Sequence, residues 1–252
     1  MMYRTCSLLT IALLIAAAHA QTGPDPGADA PPPSLAEADL DVQRLSAWGE
    51  RRYDLVGKTP GADAVAGTLT LETEVADDKV VLRDDWALTV GDERIVWNIK
   101  TFCRPDGTLS PRLVFSKGEG SDEITPYTLS VRDGEAAISV DGRMQTLDLP
   151  EHTVTDMALL RLMALLPREQ GKAWRLAAVL ELAELNLKPA ASIRCVGTES
   201  QSISGEALDL WKYELVRDDR VITEVWVDGP GQLRMARLNN GLLLLEQQSP
   251  GR

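Results

Sequence analysis

The stretch Thr68-Leu-Thr-Leu-Glu-Thr-Glu-Val75 alternates between apolar and polar side chains. Its apolar residues occupy the odd-numbered positions 69, 71 and 75, and polar residues occupy the even-numbered positions 70, 72 and 74. Successive side chains of a β-strand point to opposite faces of a sheet. This period of two therefore predicts a strand with one buried and one exposed face.

The same period recurs on both sides of this stretch, in short segments separated by turn residues. The further predicted strands are 80–90 (as one strand or a pair), 94–103, 113–115, 127–131, 136–140, 144–149, 193–196, 211–215, 221–227, 233–238 and 242–245. Asp133-Gly134, Asp141-Gly142 and Asn240-Gly241 favour the tight type I′ turns that join antiparallel neighbours. Strands do not alternate with crossover helices, so we predict around ten to twelve strands in hairpin order rather than a parallel α/β fold.

One segment in the middle of the chain, 154–166, has helical character. Thr153-Val-Thr-Asp156 predicts its N-terminal cap, and Pro167 predicts its end. Apolar side chains cover most of its circumference, with Arg161 as the only charge inside it, and such a helix is buried on more than one side. The predicted fold class is therefore mainly β (α+β): a curved antiparallel sheet or half-barrel with one long buried helix near 154–166.

The segment 174–187 admits two interpretations. Its Ala, Leu and Glu content suits a helix, whereas Val179-Leu-Glu-Leu182 followed by Pro189 suits a strand. We favour a strand, because the chain then runs directly into the predicted strand 193–196.

The amino terminus has the composition of a cleavable signal peptide. Arg4 precedes an apolar run that begins at Ser7 and closes on Ala18-His19-Ala20. Small residues at positions 18 and 20 suit a signal peptidase, and the run is shorter than the ~20 apolar residues that span a bilayer. We therefore expect residues 1–20 to be removed before Gln21, no membrane span after cleavage, and a periplasmic or secreted protein.

The remaining chain divides into a linker and a domain. Residues 21–34 are rich in Pro, Gly, Ala and Asp without apolar periodicity, which predicts a disordered linker. Ser34-Leu-Ala-Glu37 has capping-box spacing and predicts a short helix running towards Trp48. We predict that this helix opens a single β-rich domain over residues 35–252.

The charge of the chain restricts its partners. The formal net charge is -12, and loss of Arg4 with the signal peptide lowers it by one further unit. Nucleic acids and anionic lipid headgroups bind basic surfaces. The acidic balance therefore argues against both as partners.

Two cysteines, Cys103 and Cys195, remain after processing. In an oxidising compartment they could form one disulfide that closes a long loop. The alternative is two separate buried thiols, each on a strand. Spacing does not show whether two strands are neighbours, so both interpretations stay open.

The sequence contains no clear catalytic, cofactor or metal motif. His152 is the only histidine left after processing, and neither a Gly-x-Ser-x-Gly elbow nor a Cys-x-x-Cys pair is present. We interpret His152 as a loop residue and predict no catalytic residue, no cofactor and no metal.

The pairs Asp77-Asp78, Asp84-Asp85 and Asp218-Asp219 could belong to calcium sites or to a carboxylate-pair hydrolase. Because Asp is a preferred turn former, turns between strands are the simpler interpretation.

Three tryptophans at alternating strand positions are candidates for contact with a ligand. Trp86, Trp97 and Trp226 could line an apolar groove or a sugar platform. Tryptophans in such positions more often belong to the core, and both interpretations stay open.

The late segments resemble known periplasmic sheets. Gly197-Thr-Glu199 and the strand Trp211-Lys-Tyr-Glu-Leu215 precede a Trp-x-Asp-x-x-Gly-x-Leu hairpin. The hairpin residues are Trp226, Asp228, Gly231 and Leu233. With the order of strands, one apolar helix and strands again, this region resembles the DUF3108-like families of unknown function and the LolA- and LolB-like periplasmic lipoprotein carriers. The resemblance lies mainly in the C-terminal third and implies a curved antiparallel half-barrel.

These observations together predict an exported, non-enzymatic protein. A one-sided sheet packed on an apolar helix leaves a concave face that could bind an apolar ligand, such as a lipid or a lipoprotein acyl chain, or an envelope protein. The alternative is a carboxylate-dependent extracytoplasmic hydrolase. A deep apolar cleft would favour the first, and two facing carboxyls in a polar cleft would favour the second.

Overall fold

The computed structural model describes residues 31–38, 40–58, 64–90, 92–119, 125–238 and 241–247. Pro32–Arg252 form one compact unit. The predicted signal peptide and most of the predicted linker lie outside the described residues, so both stay predictions.

Fourteen strands of the described chain pair side by side in one curved sheet. Along the chain the strands are β1 (Gly49–Lys58), β2 (Ala64–Ala76), β3 (Lys79–Val90), β4 (Glu93–Cys103), β5 (Pro111–Glu119), β6 (Tyr127–Arg132), β7 (Glu135–Val140), β8 (Arg143–Asp148), β9 (Val154–Thr155), β10 (Ala173–Leu176), β11 (Val179–Glu181), β12 (Asn186–Lys188), β13 (Ala191–Ile203), β14 (Glu206–Arg217), β15 (Arg220–Val227), β16 (Leu233–Arg237) and β17 (Leu243–Glu246). The order across the large sheet is β10-β13-β14-β15-β16-β17-β1-β2-β3-β4-β5-β6-β7-β8, and a small sheet has the order β12-β11-β9. The predicted mainly β, antiparallel class is confirmed.

The hairpins of the meander follow the predicted turns. Asp133 and Gly134 have φ angles of 51° and 81°, and Asp141 and Gly142 have 49° and 74°. Positive φ at both central residues is the signature of a type I′ turn, whose twist matches that of the strands it joins. Gly241 also has a positive φ, of 81°, whereas its predicted turn partner at position 240 lies outside the described residues.

The described residues contain seventeen strands, more than the ten to twelve predicted. The segment 174–187 forms strand rather than helix, but as three short strands, β10, β11 and the start of β12, instead of one strand that runs directly into 193–196. β10 belongs to the large sheet, whereas β11 and β12 belong to the small one. Strand β1 was not predicted, because its sequence Gly-Glu-Arg-Arg-Tyr-Asp-Leu-Val-Gly-Lys lacks a long alternating pattern. It forms because β2 and β17 pair with it on either side and bury Tyr53 and Leu55.

The predicted short helix near residue 34 is replaced by two 3-10 helices, Leu35–Ala38 and Val42–Ala47. Only one of the two hydrogen bonds of a capping box forms. The Glu37 carboxylate accepts from the Ser34 N–H at 3.2 Å, but the Ser34 hydroxyl accepts from the Ala36 N–H at 3.3 Å. The Glu37 N–H instead donates to the Ser34 carbonyl at 3.0 Å, which is the tighter 3-10 pattern.

Helix α1 (Asp156–Leu165) is the buried helix that the sequence predicted. All side chains from Met157 to Leu165 are buried, and the Thr155 hydroxyl caps the helix by accepting from the Ala158 N–H at 3.2 Å. The helix begins two residues later than predicted because Val154 and Thr155 pair with β11 as strand β9. Within the described ranges, no helix has the length and apolar character needed to cross a bilayer.

Arg161 attaches α1 to the inner face of the sheet, which is the face packed against this helix. Its side chain and that of Asp84 on β3 are fully buried. The guanidinium donates to Asp84 Oδ1 at 2.6 Å, to Thr73 Oγ1 at 3.2 Å, and to the carbonyls of Met157, Glu72 and Arg83 at 3.2, 3.2 and 3.4 Å. These five acceptors match the five N–H donors of an arginine, so its buried charge is fully hydrogen-bonded.

Candidate functional site

A cleft of about 300 Å³ opens between α1 and the inner face of the sheet. Its apolar lining includes Trp86 and Leu88 of β3, Trp97 of β4, Met157, Leu160 and Met163 of α1, Leu215 of β14, Ile222 of β15, and Leu238 and Leu242 of the β16–β17 hairpin. The alternation along each strand explains this composition, because every second residue points towards the helix. A concave, mostly apolar space of this size is typical of small-molecule binding sites.

Trp86 and Trp97, two of the three candidate tryptophans, are neighbours in the cleft wall. They are cross-strand partners on β3 and β4, and their ring centroids lie 6.5 Å apart. Trp97 Nε1 donates to the Ser116 hydroxyl at 2.7 Å. Trp86 is only 6% exposed, and its Nε1 has no hydrogen-bond acceptor in the described part of the chain. One of the two indoles therefore has an unmet donor.

Trp226, the third candidate, does not line the cleft. Its neighbours Val225 and Val227 on β15 belong to the main core, so the alternation places Trp226 on the outer face. There it packs in a separate group, which we call the outer cluster. The outer cluster comprises Ile203, Leu210, Trp226 and Met235 with the partly buried Leu208, Leu243 and Leu245.

Charged side chains line part of the cleft: Glu181 of β11, Glu184 in the turn that follows it, and Arg217 at the end of β14. Arg217 Nη1 lies 3.8 Å from Glu181 Oε1, and Lys188 Nζ lies 3.3 Å from Glu181 Oε2. Glu181 and Arg217 line the cleft, whereas Lys188 does not. Arg217 Nε is buried and has no acceptor among the described residues. Arg217 Nε is therefore the second unmet donor among the side chains that line the cleft, and it belongs to a cation.

Asp156 adds a carboxyl group to the same lining, at the first turn of α1. Its Oδ1 accepts from the Met157 N–H at 2.9 Å and from the Leu182 N–H at 3.4 Å. Burial raises the pKa of Asp156 to about 7; the charges of Glu181 and Asp84 act in the same direction, and the two N–H donors oppose it. This carboxyl group therefore gains or loses its proton near neutral pH.

The acidic pairs fall into two kinds of environment, and none of them lines the cleft. Asp77-Asp78 and Asp218-Asp219 occupy turns, as the simpler interpretation predicted. Asp84-Asp85 lies within β3 instead, because Arg161 compensates the buried Asp84 while Asp85 on the other face accepts from Asn98 at 2.7 Å. In the described ranges, no group of three or more His, Cys, Asp or Glu side chains is placed to hold a metal ion.

Cys103 and Cys195 are both buried and both carry free thiols. They lie on β4 and β13, and strands β14 to β17 and β1 to β3 separate these two strands in the sheet. The structure thus corresponds to two separate buried thiols, and the disulfide is not formed. Burial raises the pKa of both thiols, so neither is an activated thiolate.

His152 lies in the turn before β9, as predicted for a loop residue. Its φ is 61°, its side chain is 43% exposed, and its Nε2 lies 3.7 Å from the Glu151 carboxylate. It is not part of the cleft lining.

The polar residues of the cleft were not predicted as site residues. Asp156 looked like a cap residue, which it also is, and Glu181 lies in the segment whose structure was ambiguous. A signal for Arg217 exists in the sequence: continuing the alternation of Tyr213 and Leu215 places it on the inner face. What brings it close to Glu181 is the position of the small sheet, which no local pattern encodes.

No known protein family matches the chain, and no curated protein matches it. Among solved structures, it is similar to the crystal structure of a β-barrel-like protein of the domain of unknown function DUF1849 from Brucella abortus. The two share 12% sequence identity with a TM-score of 0.55, over 79% of this chain and 95% of that chain. At this identity the similarity shows the fold alone, a curved and barrel-like antiparallel sheet. The resemblance to DUF3108-like and lipoprotein-carrier sheets is confirmed as far as this curved β fold, and the finer assignment stays a prediction.

Proposed function

We propose that this protein binds an apolar ligand in the cleft beside α1, without catalysing a reaction. The observation that carries the proposal is the cleft itself, an open space of about 300 Å³ lined by apolar side chains of α1 and the inner face. Protein interiors are otherwise packed as densely as organic crystals. An apolar ligand that filled this space would remove the lining from water, which is the main driving force of such binding.

The walls of the cleft suit a flexible apolar ligand. Leu88, Ile222 and Leu238 are half-buried, so apolar surface is accessible to an incoming molecule. Met157 and Met163 of α1 contribute unbranched side chains that adapt to different shapes. A lipid chain, or the acyl chain of a lipoprotein, has the required character.

The test is a fluorescence titration that measures how tightly the purified domain binds an uncharged naphthylamine fluorophore. We expect the wild-type protein to bind the fluorophore, and Ile222→Trp to weaken binding at least about tenfold by filling the cleft. The control is Val221→Trp on the same strand, because Val221 is 45% exposed and does not line the cleft. Equal binding by the two variants, or no binding by the wild type, would contradict the proposal.

One observation favours a second candidate, a carboxylate-dependent hydrolase. Asp156 and Glu181 line the same cleft, and a carboxyl group with a pKa of about 7 is suited to general acid or base catalysis. Hydrolysis of nitrophenyl acyl esters measures it directly. Turnover that is lost in Asp156→Asn while fluorophore binding persists would establish the hydrolase and remove the non-enzymatic proposal.

We also propose that the protein is exported, from the signal peptide predicted over residues 1–20. Amino-terminal sequencing of the folded protein purified from its own cells is the test. A mature chain beginning at Gln21 supports export, and a folded chain that retains Met1 contradicts it.

A further inference from the structure

We propose that the ligand of the cleft carries a cationic amine on its apolar body, and that the Asp156 carboxylate binds this amine. The inference rests on the proposed function and specifies the chemical class of the ligand. Three observations support it: the balance of charge in the cleft lining, a carboxylate oxygen of Asp156 that accepts no hydrogen bond from the described residues, and the negative charge of Glu181 beside it.

The charges of the cleft lining leave one acid without a cation. The lining holds three acids, Asp156, Glu181 and Glu184, and one cation, Arg217. Outside the lining, Lys188 Nζ lies 3.3 Å from Glu181 and 3.4 Å from Glu184, and Arg217 lies 3.8 Å from Glu181. The two cations therefore match Glu181 and Glu184 in number. Asp156 forms no ion pair with any described residue, and no cation is among the groups that shift its pKa.

The Asp156 carboxylate has one oxygen free to accept hydrogen bonds. Both of its hydrogen bonds go to Oδ1, from the N–H groups of Met157 and Leu182. No described residue donates to Oδ2, and the side chain is half-buried where it lines the cleft, so it keeps accessible surface. An ionised carboxylate only accepts hydrogen bonds, and a protonated amine only donates them. Such bonds between opposite charges are stronger than those between neutral groups.

A neighbouring negative charge disfavours an anionic ligand at this place. Thr155 on β9 pairs with Leu180 on the parallel strand β11, so Asp156 and Glu181 each follow a paired residue. Burial raises the pKa of Asp156 to about 7, and the charges of Glu181 and Asp84 act in the same direction. A bound cation stabilises the ionised carboxylate, whereas a bound anion adds a further like charge.

The size of the cleft sets the size of the probes. An apolar cavity of about 150 Å³ holds the six carbons of a benzene molecule. The cleft has about twice this volume, about 300 Å³, so an eight-carbon chain with a small headgroup is suited to it.

The experiment compares octylammonium, octanol and octanoate by their displacement of the naphthylamine fluorophore at pH 8. At this pH Asp156 is mostly ionised, and an alkylamine stays protonated because its pKa is close to the value of about 10.4 for lysine. For the wild type we expect octylammonium to bind at least about tenfold more tightly than octanoate, with octanol between them.

Two variants assign this preference to one carboxylate. Asp156→Asn keeps an oxygen for the N–H groups of Met157 and Leu182 but loses the charge, so it should abolish the preference for octylammonium over octanol. Its affinity for octanol should stay within about twofold of the wild type, which also shows that the variant is folded. The matched control is Glu184→Gln, which removes a carboxylate of the same lining that is paired with Lys188 and should keep the preference.

The outcomes separate the two levels of the proposal. Equal affinity of the wild type for the three probes, or tighter binding of octanol or octanoate than of octylammonium, would overturn the amine assignment and leave an apolar binding site. The same loss of preference in Asp156→Asn and Glu184→Gln would overturn the role of Asp156. Absence of binding for every probe and for the fluorophore would overturn the proposed function as well.

Discussion

Two tryptophans on opposite faces of the sheet show two ways of burying a polar atom. In the outer cluster, Trp226 Nε1 donates to the Glu199 carboxylate at 2.7 Å, and Lys212 and Arg237 lie 5.3 and 5.6 Å from its ring centroid. In the cleft, the similarly buried Trp86 has an N–H without an acceptor among the described residues. The outer cluster satisfies its own polar atoms, whereas the cleft does not.

This difference is one contrast between the outer cluster and the candidate binding site. A buried donor without an acceptor costs about 1–3 kcal/mol, so it is rarely retained unless another molecule supplies the acceptor. The apolar composition of the two regions is similar, and composition alone therefore does not distinguish them. The hydrogen bonding of the two indole nitrogens does differ. Among the described residues, buried polar atoms without a partner also occur outside the cleft, at Asp84 Oδ2, Thr101 Oγ1 and Arg234 Nε.

The largest expected effect concerns the buried ion pair on the inner face. Arg161→Met should lower the free energy of unfolding by about 3–5 kcal/mol, because it leaves the Asp84 carboxylate buried without its partner. Lys212→Met on the outer face should lower the free energy of unfolding by at most about 1 kcal/mol. Glu224 remains paired with Arg237 in this variant, and Glu214 remains paired with Arg194. Urea denaturation measures both.

The double variant Arg161→Met/Asp84→Leu is the control for this pair. Removing both charges should recover most of the stability lost in Arg161→Met. If Arg161→Met were no more destabilising than Lys212→Met, the ion pair would not be buried as described.

The next effect is a pH dependence that originates in the cleft. The pKa of Asp156 is about 7 in the folded protein and about 4 in an unfolded chain, so the folded state binds the extra proton between these values. This contribution to stability is complete below about pH 4 and is lost as the pH rises to about 7, by at most about 4 kcal/mol. Thermal unfolding at pH 5 and pH 8 measures it.

Asp156→Asn should remove this contribution while keeping an oxygen for the N–H groups of Met157 and Leu182. The difference in stability between pH 5 and pH 8 should therefore be smaller in the variant. Asp84 and Glu246, whose pKa burial also raises, remain in both proteins and cancel in the comparison. An identical pH dependence in the two proteins would show that the Asp156 carboxyl group is solvated.

A smaller effect on stability is expected at the β16–β17 hairpin, whose residues contact both faces of the sheet. Gly241 has a φ of 81°, Leu242 beside it lines the cleft, and Leu243 belongs to the outer cluster. Gly241→Val should lower stability by about 1–3 kcal/mol, because a β-branched residue resists positive φ. It should also weaken fluorophore binding by shifting Leu242. An unchanged melting temperature would mean that valine adopts the positive φ at position 241 without strain.

The smallest expected effect is a difference in sign between the stability changes caused by Trp226→Phe and by Trp86→Phe. Trp226→Phe should destabilise the protein by about 1 kcal/mol, because it leaves Glu199 without the indole hydrogen bond. Trp86→Phe should leave stability unchanged or raise it slightly, because it removes an unmet donor. Guanidinium denaturation at constant pH compares the two, and an equal loss in both would mean that Trp86 has an acceptor.

Much of the fold could be predicted from the sequence, because it depends on local patterns. The type I′ turns at Asp133-Gly134 and Asp141-Gly142 follow from the few residues that tolerate positive φ, and the burial of α1 follows from its nearly continuous apolar surface. Trp86 and Trp97 were candidates for the same reason, since they alternate along strands. Strand β1 was missed because β2 and β17 hold it in place, and its own sequence contains little pattern.

Local sequence patterns specify the antiparallel class, the meander turns and the buried helix, because periodicity and turn chemistry act between residues that are close in the chain. Only the tertiary structure placed Trp226 on the outer face and brought Asp156, Glu181 and Arg217 around one cleft. These arrangements depend on strand register and on the pairing of β9 with β11, which join residues far apart in the chain. Whether a buried polar atom has a partner depends on such long-range contacts, and the unmet donors of Trp86 and Arg217 could be recognised only there.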